Sequence, residues 1–193
     1  MNKLVFIIAG SLLLVPVLFG ACNSGPSSVT SSEPPPKPDI ASKTYTNIDH
    51  NFSIEYPSDW EYSGNPTTGQ GSQGILVTFI GPASAQTAGI VIEADKWPAP
   101  STLEQYAAAV EEQVLKKNLV DYVKLKEVST SIGGMPAVTR IFTATINSLP
   151  LKYAQIYFVN KDFGYAISYS NSPDSFDAFY NSFELAVSTF KFN

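Results

Sequence analysis

Apolar and polar residues alternate along several short stretches of this chain, and that two-residue period predicts β-strands. The clearest case is FSIEY at residues 52–56, where Phe52, Ile54 and Tyr56 fall on one side of an extended backbone. Further stretches of this kind or of short apolar runs predict strands at residues 75–81, 89–95, 122–132, 137–146, 151–159 and 165–170. The chain is therefore expected to form a sheet with one apolar face turned to a core.

Short turns join the later strands and indicate how they pair. GGMP at residues 133–136 predicts a hairpin turn, and similar turns follow residues 146 and 159. Hairpins connect antiparallel neighbours, so these strands are expected to form an antiparallel sheet. In the stretch 122–132, Val123 and Leu125 are in phase with lysines between them, which predicts one apolar and one polar face.

A different period, three to four residues, predicts two helices. The first spans about residues 102–117, with a capping box formed by Ser101 and Glu104 or by Thr102 and Gln105. Its predicted buried stripe consists of Leu103, Tyr106, Ala107, Val110 and Val114. Its solvent-exposed face is predicted to carry an ion pair between Glu112 and Lys116. The second is expected to begin after Ser172 as N-cap, with Pro173 at its first position. Its predicted stripe is Phe176, Phe179, Phe183, Val187 and Phe190. The fold class is thus α+β.

The first residues have the pattern of an export signal. Lys3 precedes an apolar run at residues 4–18, which is shorter than the roughly 20 residues of a membrane span. The run ends at Gly20-Ala21 before Cys22, the one cysteine of the chain. This arrangement resembles a bacterial lipobox, although Phe19 stands where leucine is more common. It predicts a lipoprotein signal peptide at 1–21 and a diacylglyceryl thioether on Cys22; the alternatives are an ordinary cleaved signal or an uncleaved anchor.

Residues 22–43 are expected to be a disordered tether, because they are rich in serine and proline and contain few large apolar residues. Residues 44–193 then make one folded domain of ordinary size. The chain has 17 Asp and Glu against 12 Lys and Arg, a net charge of −5. An acidic balance disfavours nucleic-acid binding, which needs a basic face, and general attraction to anionic lipid.

Candidate chemistry is sparse. His50, the one histidine, lies in a turn and is expected to be exposed; no Gly-x-Ser-x-Gly motif accompanies it. Glu55 and Glu93 are expected to alternate outward on their strands. Zinc is disfavoured by the single histidine and the modified cysteine, and the glycine-rich loop 69–74 lacks the features of a phosphate cradle. Five acidic residues could supply oxygen ligands to calcium but lack the spacing of a calcium-binding loop: Asp49, Glu55, Asp59, Glu93 and Asp95. Three aromatic residues could line a ligand surface or pack in the core: Trp60, Tyr62 and Trp97.

Three segments resemble PsbP-like domains, and the resemblance extends over essentially the whole folded part. They are YTNIDHNFSIEYPSDWE at 45–61, SIGGMPAVTRIFT at 131–143 and FGYAISYSNSPDSFDAFYNSFELAVSTFKF at 163–192. The resemblance implies a central antiparallel sheet flanked by helices on both faces, an α/β/α sandwich. Relatives in that family include lumenal photosystem II subunits that help retain calcium and chloride, bacterial lipoproteins, and a eukaryotic protein that binds a small GTPase. No ion ligand or photosystem contact of the family can be transferred to a residue of this chain.

The sequence thus predicts an extracytoplasmic module, anchored to the bacterial cell membrane by lipid on Cys22, that binds or assembles with an unidentified protein. No enzymatic activity, cofactor, metal or nucleic-acid partner is expected. The alternative is a small hydrolase or ligand-binding lipoprotein, and a deep cleft with convergent polar groups around His50 would favour it.

Overall fold

A seven-stranded antiparallel sheet forms most of the protein, in a computed structural model that describes residues 36–64, 73–85, 87–97 and 102–193. Its strands run in the spatial order β3-β4-β5-β9-β8-β7-β6. Their bounds are β3 Glu61–Gly64, β4 Gly74–Ile80, β5 Gly89–Lys96, β6 Val120–Ile132, β7 Met135–Ile146, β8 Leu149–Asn160 and β9 Phe163–Asn171. The predicted antiparallel sheet is confirmed, and so is each predicted strand, with ends that differ by a few residues.

A second sheet of three strands was not predicted as such. It has the order β1-β2-β10, with β1 at Ser42–Asn47, β2 at Phe52–Pro57 and β10 at Lys191–Phe192. The central strand β2 carries the predicted alternating triplet, and the side chains of Phe52, Ile54 and Tyr56 are all buried. Sheet formation here brings the C-terminal end of the chain against β2, a pairing between distant segments that local patterns do not reveal.

Tight turns connect the long strands as the glycine and asparagine positions predict. Gly133 and Gly134 have φ values of 54° and 80°, and Asn147 and Ser148 have φ values of 50° and 66°. Both pairs place two consecutive residues in the left-handed region, which is the geometry of a two-residue type I′ hairpin. The turn chemistry therefore explains why β6, β7 and β8 follow one another as neighbours.

The first helical segment contains a π-helical stretch that shifts its buried side. Helix α1 spans Leu103–Ala109, a π-helix spans Val110–Leu115, and a last turn, α2, spans Lys116–Asn118. The capping box is the Thr102–Gln105 alternative. Tyr106 and Ala107 are buried as predicted, but Glu111 and Leu115 are buried further along instead of Val110 and Val114. Because a π-turn contains an extra residue, every later side chain rotates away from the 3.6-residue expectation.

The second helix begins later than predicted. Pro173–Ser175 and Asp177–Phe179 are 3₁₀ turns, and helix α3 spans Tyr180–Thr189. Side chains of β9 take up carbonyl groups in this region: Tyr169 Oη donates to Phe176 O at 2.8 Å, and Asn171 Nδ2 donates to Ser175 O at 3.1 Å. These carbonyls are thereby bound by the sheet, which favours tight turns over a regular first helical turn.

The main core joins both sheets to α3 and the C-terminal segment. Four of the five residues of the predicted second stripe are buried in it, namely Phe176, Phe183, Val187 and Phe190, and Phe179 packs against its edge. A smaller apolar cluster lies under α1 and consists of Tyr106, Ala107, Tyr157 and Ala166, with Trp97, Leu103, Val110 and Val159 packed against it. The observed fold is therefore a largely antiparallel sheet protein with two main helical segments.

The predicted signal peptide 1–21, Cys22 and most of the glycine-rich loop lie outside the described residues. Part of the predicted tether is described: Lys37 Nζ lies 2.7 Å from Glu55 Oε2, and β1 begins at Ser42. In the part of the chain that is described, no helix has both the length and the apolar character needed to cross a membrane.

Candidate functional site

His50 is buried, and the expectation of an exposed turn residue is wrong. Its side chain is 7% exposed, and Nδ1 lies 3.0 Å from the hydroxyl of Tyr165 on β9. The ring also packs edge-on against Phe163 at 5.1 Å between centroids. Within the turn that carries it, the His50 backbone N–H donates to Asn47 Oδ1 at 2.8 Å. The sequence around His50 is a short polar turn, and nothing in it indicates that side chains of β9 would cover the histidine.

Glu93, which was predicted to alternate outward, is only partly exposed. It pairs with Ala166 across the β5–β9 ladder, and residues opposite each other in a ladder share one face of the sheet. Ala166 belongs to the cluster under α1, so Glu93 lies beside that cluster. Burial, with a smaller contribution from the charge of Asp95, raises the pKa of Glu93 to about 7. Burial also raises the pKa of Asp95.

The other oxygen donors do not converge. Glu55 is engaged by Lys37 and by the hydroxyl of Ser42, and these hydrogen bonds hold its pKa below the usual value. In the described ranges, no three His, Cys, Asp or Glu side chains are grouped as metal ligands would be.

The three aromatic candidates have separate environments. Trp60 is a core residue, 3% exposed. Tyr62 is more than half exposed on β3, with its ring 5.3 Å from that of Tyr45. Trp97 packs on Tyr106 at 5.3 Å, and its buried Nε1 has no hydrogen-bond partner among the described residues. They do not form one ligand-binding surface.

A row of polar side chains crosses four strands, and the sequence analysis did not identify it. Glu127 on β6 pairs with Arg140 on β7, Arg140 with Gln155 on β8, and Gln155 with Ser168 on β9. We call these four residues the polar row. Gln155 Nε2 donates to Ser168 Oγ at 2.8 Å, and the hydroxyl of Tyr157 donates to Gln155 Oε1. The ladder register alone brings these residues together, because they are far apart in the chain.

Arg140 is the centre of the row and is 1% exposed. Its Nε and Nη2 lie 2.7 and 2.6 Å from Glu127 Oε2, and Nη2 lies 3.1 Å from Glu111 Oε2 in the π-helix. The guanidinium carbon also lies 5.1 Å from the ring centroid of Tyr157, a cation–π geometry. Two carboxylates thus neutralise a cation that would otherwise be costly to bury.

The charge network continues to the surface through lysines. Lys124 Nζ lies 2.8 Å from Glu111 Oε2, and Lys116 lies 2.5 Å from Glu112, as predicted for that helical pair. Burial tends to raise the pKa of Glu111, but the hydrogen bond from Lys124 and the charge of Arg140 outweigh it and lower the pKa. The network therefore keeps Glu111 ionised, which suits a structural clamp between the π-helix and the sheet better than proton transfer near neutral pH.

One signal in the sequence could have exposed the network. In the β7 segment AVTRIFTATI, Arg140 is in phase with Phe142 and Ala144, so alternation places a charge on the same face as two apolar residues. Such a charge requires a partner when the face is buried. The partner in the π-helix was not accessible to the same reasoning, because Glu111 is not one of the residues of the predicted apolar stripe.

Comparison with known proteins identifies the family to which the chain belongs. The profile of the family described as PsbP-like protein matches residues 5–192, and the chain belongs to that family. This confirms the resemblance deduced from the strand and turn motifs. No curated protein matches the chain.

Solved structures from three distant sources have the same fold. The solution structure of cyanobacterial PsbP (CyanoP) from Synechocystis sp. PCC 6803 is 15% identical, covers 90% of this chain and 98% of its own, and superposes with a TM-score of 0.59. Mog1p, the Ran-binding protein of Saccharomyces cerevisiae, is 12% identical, with coverages of 80% and 96% and a TM-score of 0.56. LpqN of Mycobacterium tuberculosis, involved in cell envelope biogenesis, is 13% identical, with coverages of 80% and 91% and a TM-score of 0.54. At these identities the likeness concerns the fold.

Proposed function

We propose that the protein is an exported, lipid-anchored module that binds or assembles with another protein and has no catalytic turnover. The observation that carries this is the distribution of polar groups. The buried charge of Arg140 is paired with the carboxylates of Glu111 and Glu127, whereas large aliphatic side chains are exposed along β6. A surface of that kind is typical of a site for another macromolecule.

The family supports the proposal without fixing a partner. Two structural neighbours are a Ran-binding protein and a protein involved in cell envelope biogenesis, so a protein-binding role occurs on this fold. Function is set by sites grafted on a fold rather than by the fold itself. A photosystem or calcium role would rest on family resemblance alone.

We also infer that α1 and α3 cover opposite faces of the large sheet. Support comes from the alternation on β8, where Tyr157 lies in the cluster under α1 and Ile156 and Phe158 lie in the core that includes α3 residues. Successive side chains of a strand point to opposite faces. This would give the α/β/α sandwich that the family resemblance implies.

Anchoring is tested by expressing the full chain in a bacterial host with an alkyne analogue of palmitate. The wild type is expected to incorporate the label and to sediment with membranes, because a thioether lipid on Cys22 would hold it there. Cys22→Ser is expected to lose the label and to leave the membrane fraction or to remain unprocessed. A wild type without label, and a membrane fraction unchanged by the substitution, would contradict the lipid anchor.

One observation favours a second candidate, a small hydrolase. A carboxyl group with a pKa of about 7, as burial gives Glu93, is suited to general acid–base catalysis. We expect no turnover by the purified protein on a panel of esterase, peptidase and phosphatase substrates. Turnover that is lost in Glu93→Gln or His50→Ala, with both variants folded by circular dichroism, would establish the hydrolase instead.

A further inference from the structure

Two carboxyl groups lie beside the contact between α1 and the large sheet. Glu93 and Asp95 are two residues apart on β5, so their side chains point to the same face of the sheet. Across the β5–β9 ladder Glu93 pairs with Ala166, and Asp95 pairs with Gly164. Because Ala166 belongs to the apolar cluster under α1, both carboxyl groups are on the face against which α1 packs.

The ring of Tyr106 packs α1 onto this face. It lies directly against Gly164, since a Cβ added to that glycine would overlap the ring carbons Cδ2, Cε2 and Cζ. Trp97 packs on the same ring at 5.3 Å between centroids, and Tyr106 is only 2% exposed. The contact therefore covers the sheet at the positions opposite Asp95 and next to Glu93.

The surroundings supply no counter-charge to these carboxyl groups. None of the ion pairs among the described residues includes Glu93 or Asp95. The titratable groups that interact with them from other elements are Tyr106 on α1 and Tyr157 on β8. Burial raises the pKa of both tyrosines, so they are neutral near pH 7. Arg140 lies against the ring of Tyr157, but it is already paired with two other carboxylates.

Ionisation of these groups opposes the docking of α1. Burial raises the pKa of Asp95 and, with a smaller contribution from the charge of Asp95, raises the pKa of Glu93 to about 7. Lifting α1 would return both carboxylates to water, where the charged form is favoured. The stabilisation of the docked state by protonated Glu93 is fully present below pH 4.5 and is lost as the pH rises through about 7.

The far end of the helical segment is held by charges that persist over this pH range. Arg140 Nη2 lies 3.1 Å from Glu111 Oε2 in the π-helix. Burial tends to raise the pKa of Glu111, but the hydrogen bond from Lys124 and the charge of Arg140 lower it overall. Lifting α1 gives up the 3.3 Å hydrogen bond from Arg140 to the carbonyl of Ala107 and leaves the ion pair with Glu111 in place. Opening therefore stops at the π-helix.

We propose that α1, residues Leu103–Ala109, is a pH-sensitive cover that lifts from the sheet when Glu93 and Asp95 ionise. The inference goes beyond the proposed function and does not depend on it. A helix of seven residues has little stability of its own in water, so the lifted segment also loses its internal hydrogen bonds. Lifting uncovers the apolar cluster that contains Tyr157 and Ala166.

Hydrogen exchange of the full chain in detergent micelles, measured by mass spectrometry, tests this cover. The wild type and Glu93→Gln are compared at the same pH, so that differences in intrinsic exchange rate cancel. At pH 8 the amides of residues 103–109 are expected to exchange on the order of 100-fold more slowly in the variant, the factor that a pKa change from 4.5 to about 7 permits. At pH 5 the two proteins are expected to differ by less than about fivefold, since Glu93 is then mostly protonated in the docked state.

Low concentrations of urea distinguish lifting from global unfolding. In the wild type at pH 8, residues 103–109 are expected to exchange at least about tenfold faster than the central strand β8. Their rate is expected to depend little on urea, because a local opening exposes little surface. Exchange at the rate and with the urea dependence of β8 would show that α1 opens only when the whole domain unfolds, and it would overturn the proposal.

Two further variants locate the contact. Glu104→Gln removes an exposed carboxylate from the first turn of α1 and is expected to exchange as the wild type does. Gly164→Ala places a methyl group against the ring of Tyr106 and is expected to speed exchange at residues 103–109 by at least about fivefold at pH 5. The proposal fails if Glu93→Gln and the wild type have the same pH profile, or if Gly164→Ala leaves the exchange of α1 unchanged.

Discussion

Replacing Glu93 by glutamine tests the placement of a carboxyl group under α1. Burial raises the pKa of Glu93 from 4.5 to about 7, so the folded protein holds this proton more tightly than the unfolded chain does. The stabilisation from the protonated carboxyl is fully present below pH 4.5. It is lost as the pH rises through about 7, where the folded protein must ionise a buried group. Glutamine has nearly the same shape and does not ionise.

The size of the effect follows from the pKa difference. One pKa unit corresponds to about 1.36 kcal/mol, so a rise from 4.5 to about 7 corresponds to a loss of about 3 kcal/mol in wild-type stability across that range. Glu93→Gln is expected to match the wild type near pH 4.5 and to exceed it by up to about 3 kcal/mol at pH 8. Asp95 also has a raised pKa from burial, so the wild type and the variant share its pH dependence.

Urea denaturation of both proteins between pH 4.5 and 8 measures this difference, provided that the m values agree. Glu104→Gln is the matched control, since Glu104 is an exposed glutamate in the first turn of α1. Its stability curve is expected to run parallel to that of the wild type. A difference between Glu93→Gln and the wild type that stays constant over the pH range would show that Glu93 is hydrated, and it would refute the placement of its carboxyl group under α1.

Three further substitutions test the packing. Phe183→Ala is expected to destabilise the protein by about 3–5 kcal/mol in urea denaturation, because the ring is buried in the main core. Glu112→Ala removes one exposed helical ion pair and is expected to cost only about 0.2–0.5 kcal/mol. Equal losses of stability in the two variants would contradict the buried and exposed faces assigned to the two helices. Gly164→Ala is expected to cost about 1–3 kcal/mol, since a Cβ there would overlap the ring of Tyr106. In a Tyr106→Ala background the same change should cost much less, and an unchanged cost would assign the strain elsewhere.

Local patterns predicted most of the fold because apolar residues along the strands recur at every second position or in short runs. The triplet Phe52, Ile54 and Tyr56 shows this, since all three are buried where alternation placed them. Glycines at 133 and 134 likewise fixed a hairpin through their φ angles. These features depend on neighbouring residues in the chain, which is the information that a sequence pattern carries.

The errors arose where distant segments or irregular backbone decide the outcome. His50 is buried because β9 supplies Tyr165 and Phe163, more than 100 residues later. Val123 and Leu125 alternate as a half-buried strand does, yet β6 stands at the end of the sheet and exposes them. Strand order is a property of the whole topology, so periodicity cannot distinguish an end strand from an inner one.

The polar row fixes how strand β6 is aligned with its neighbour in the sheet. Arg140 connects β6 to β7 through Glu127 and connects the sheet to the π-helix through Glu111. A pairing of buried charges contributes little net stability over apolar packing, but it penalises any register that separates the partners. A shift of β6 by one residue relative to β7 would move Glu127 to the other face of the sheet, and the guanidinium of Arg140 would lose that carboxylate. The row thereby favours the one register of β6 in which Glu127 contacts Arg140.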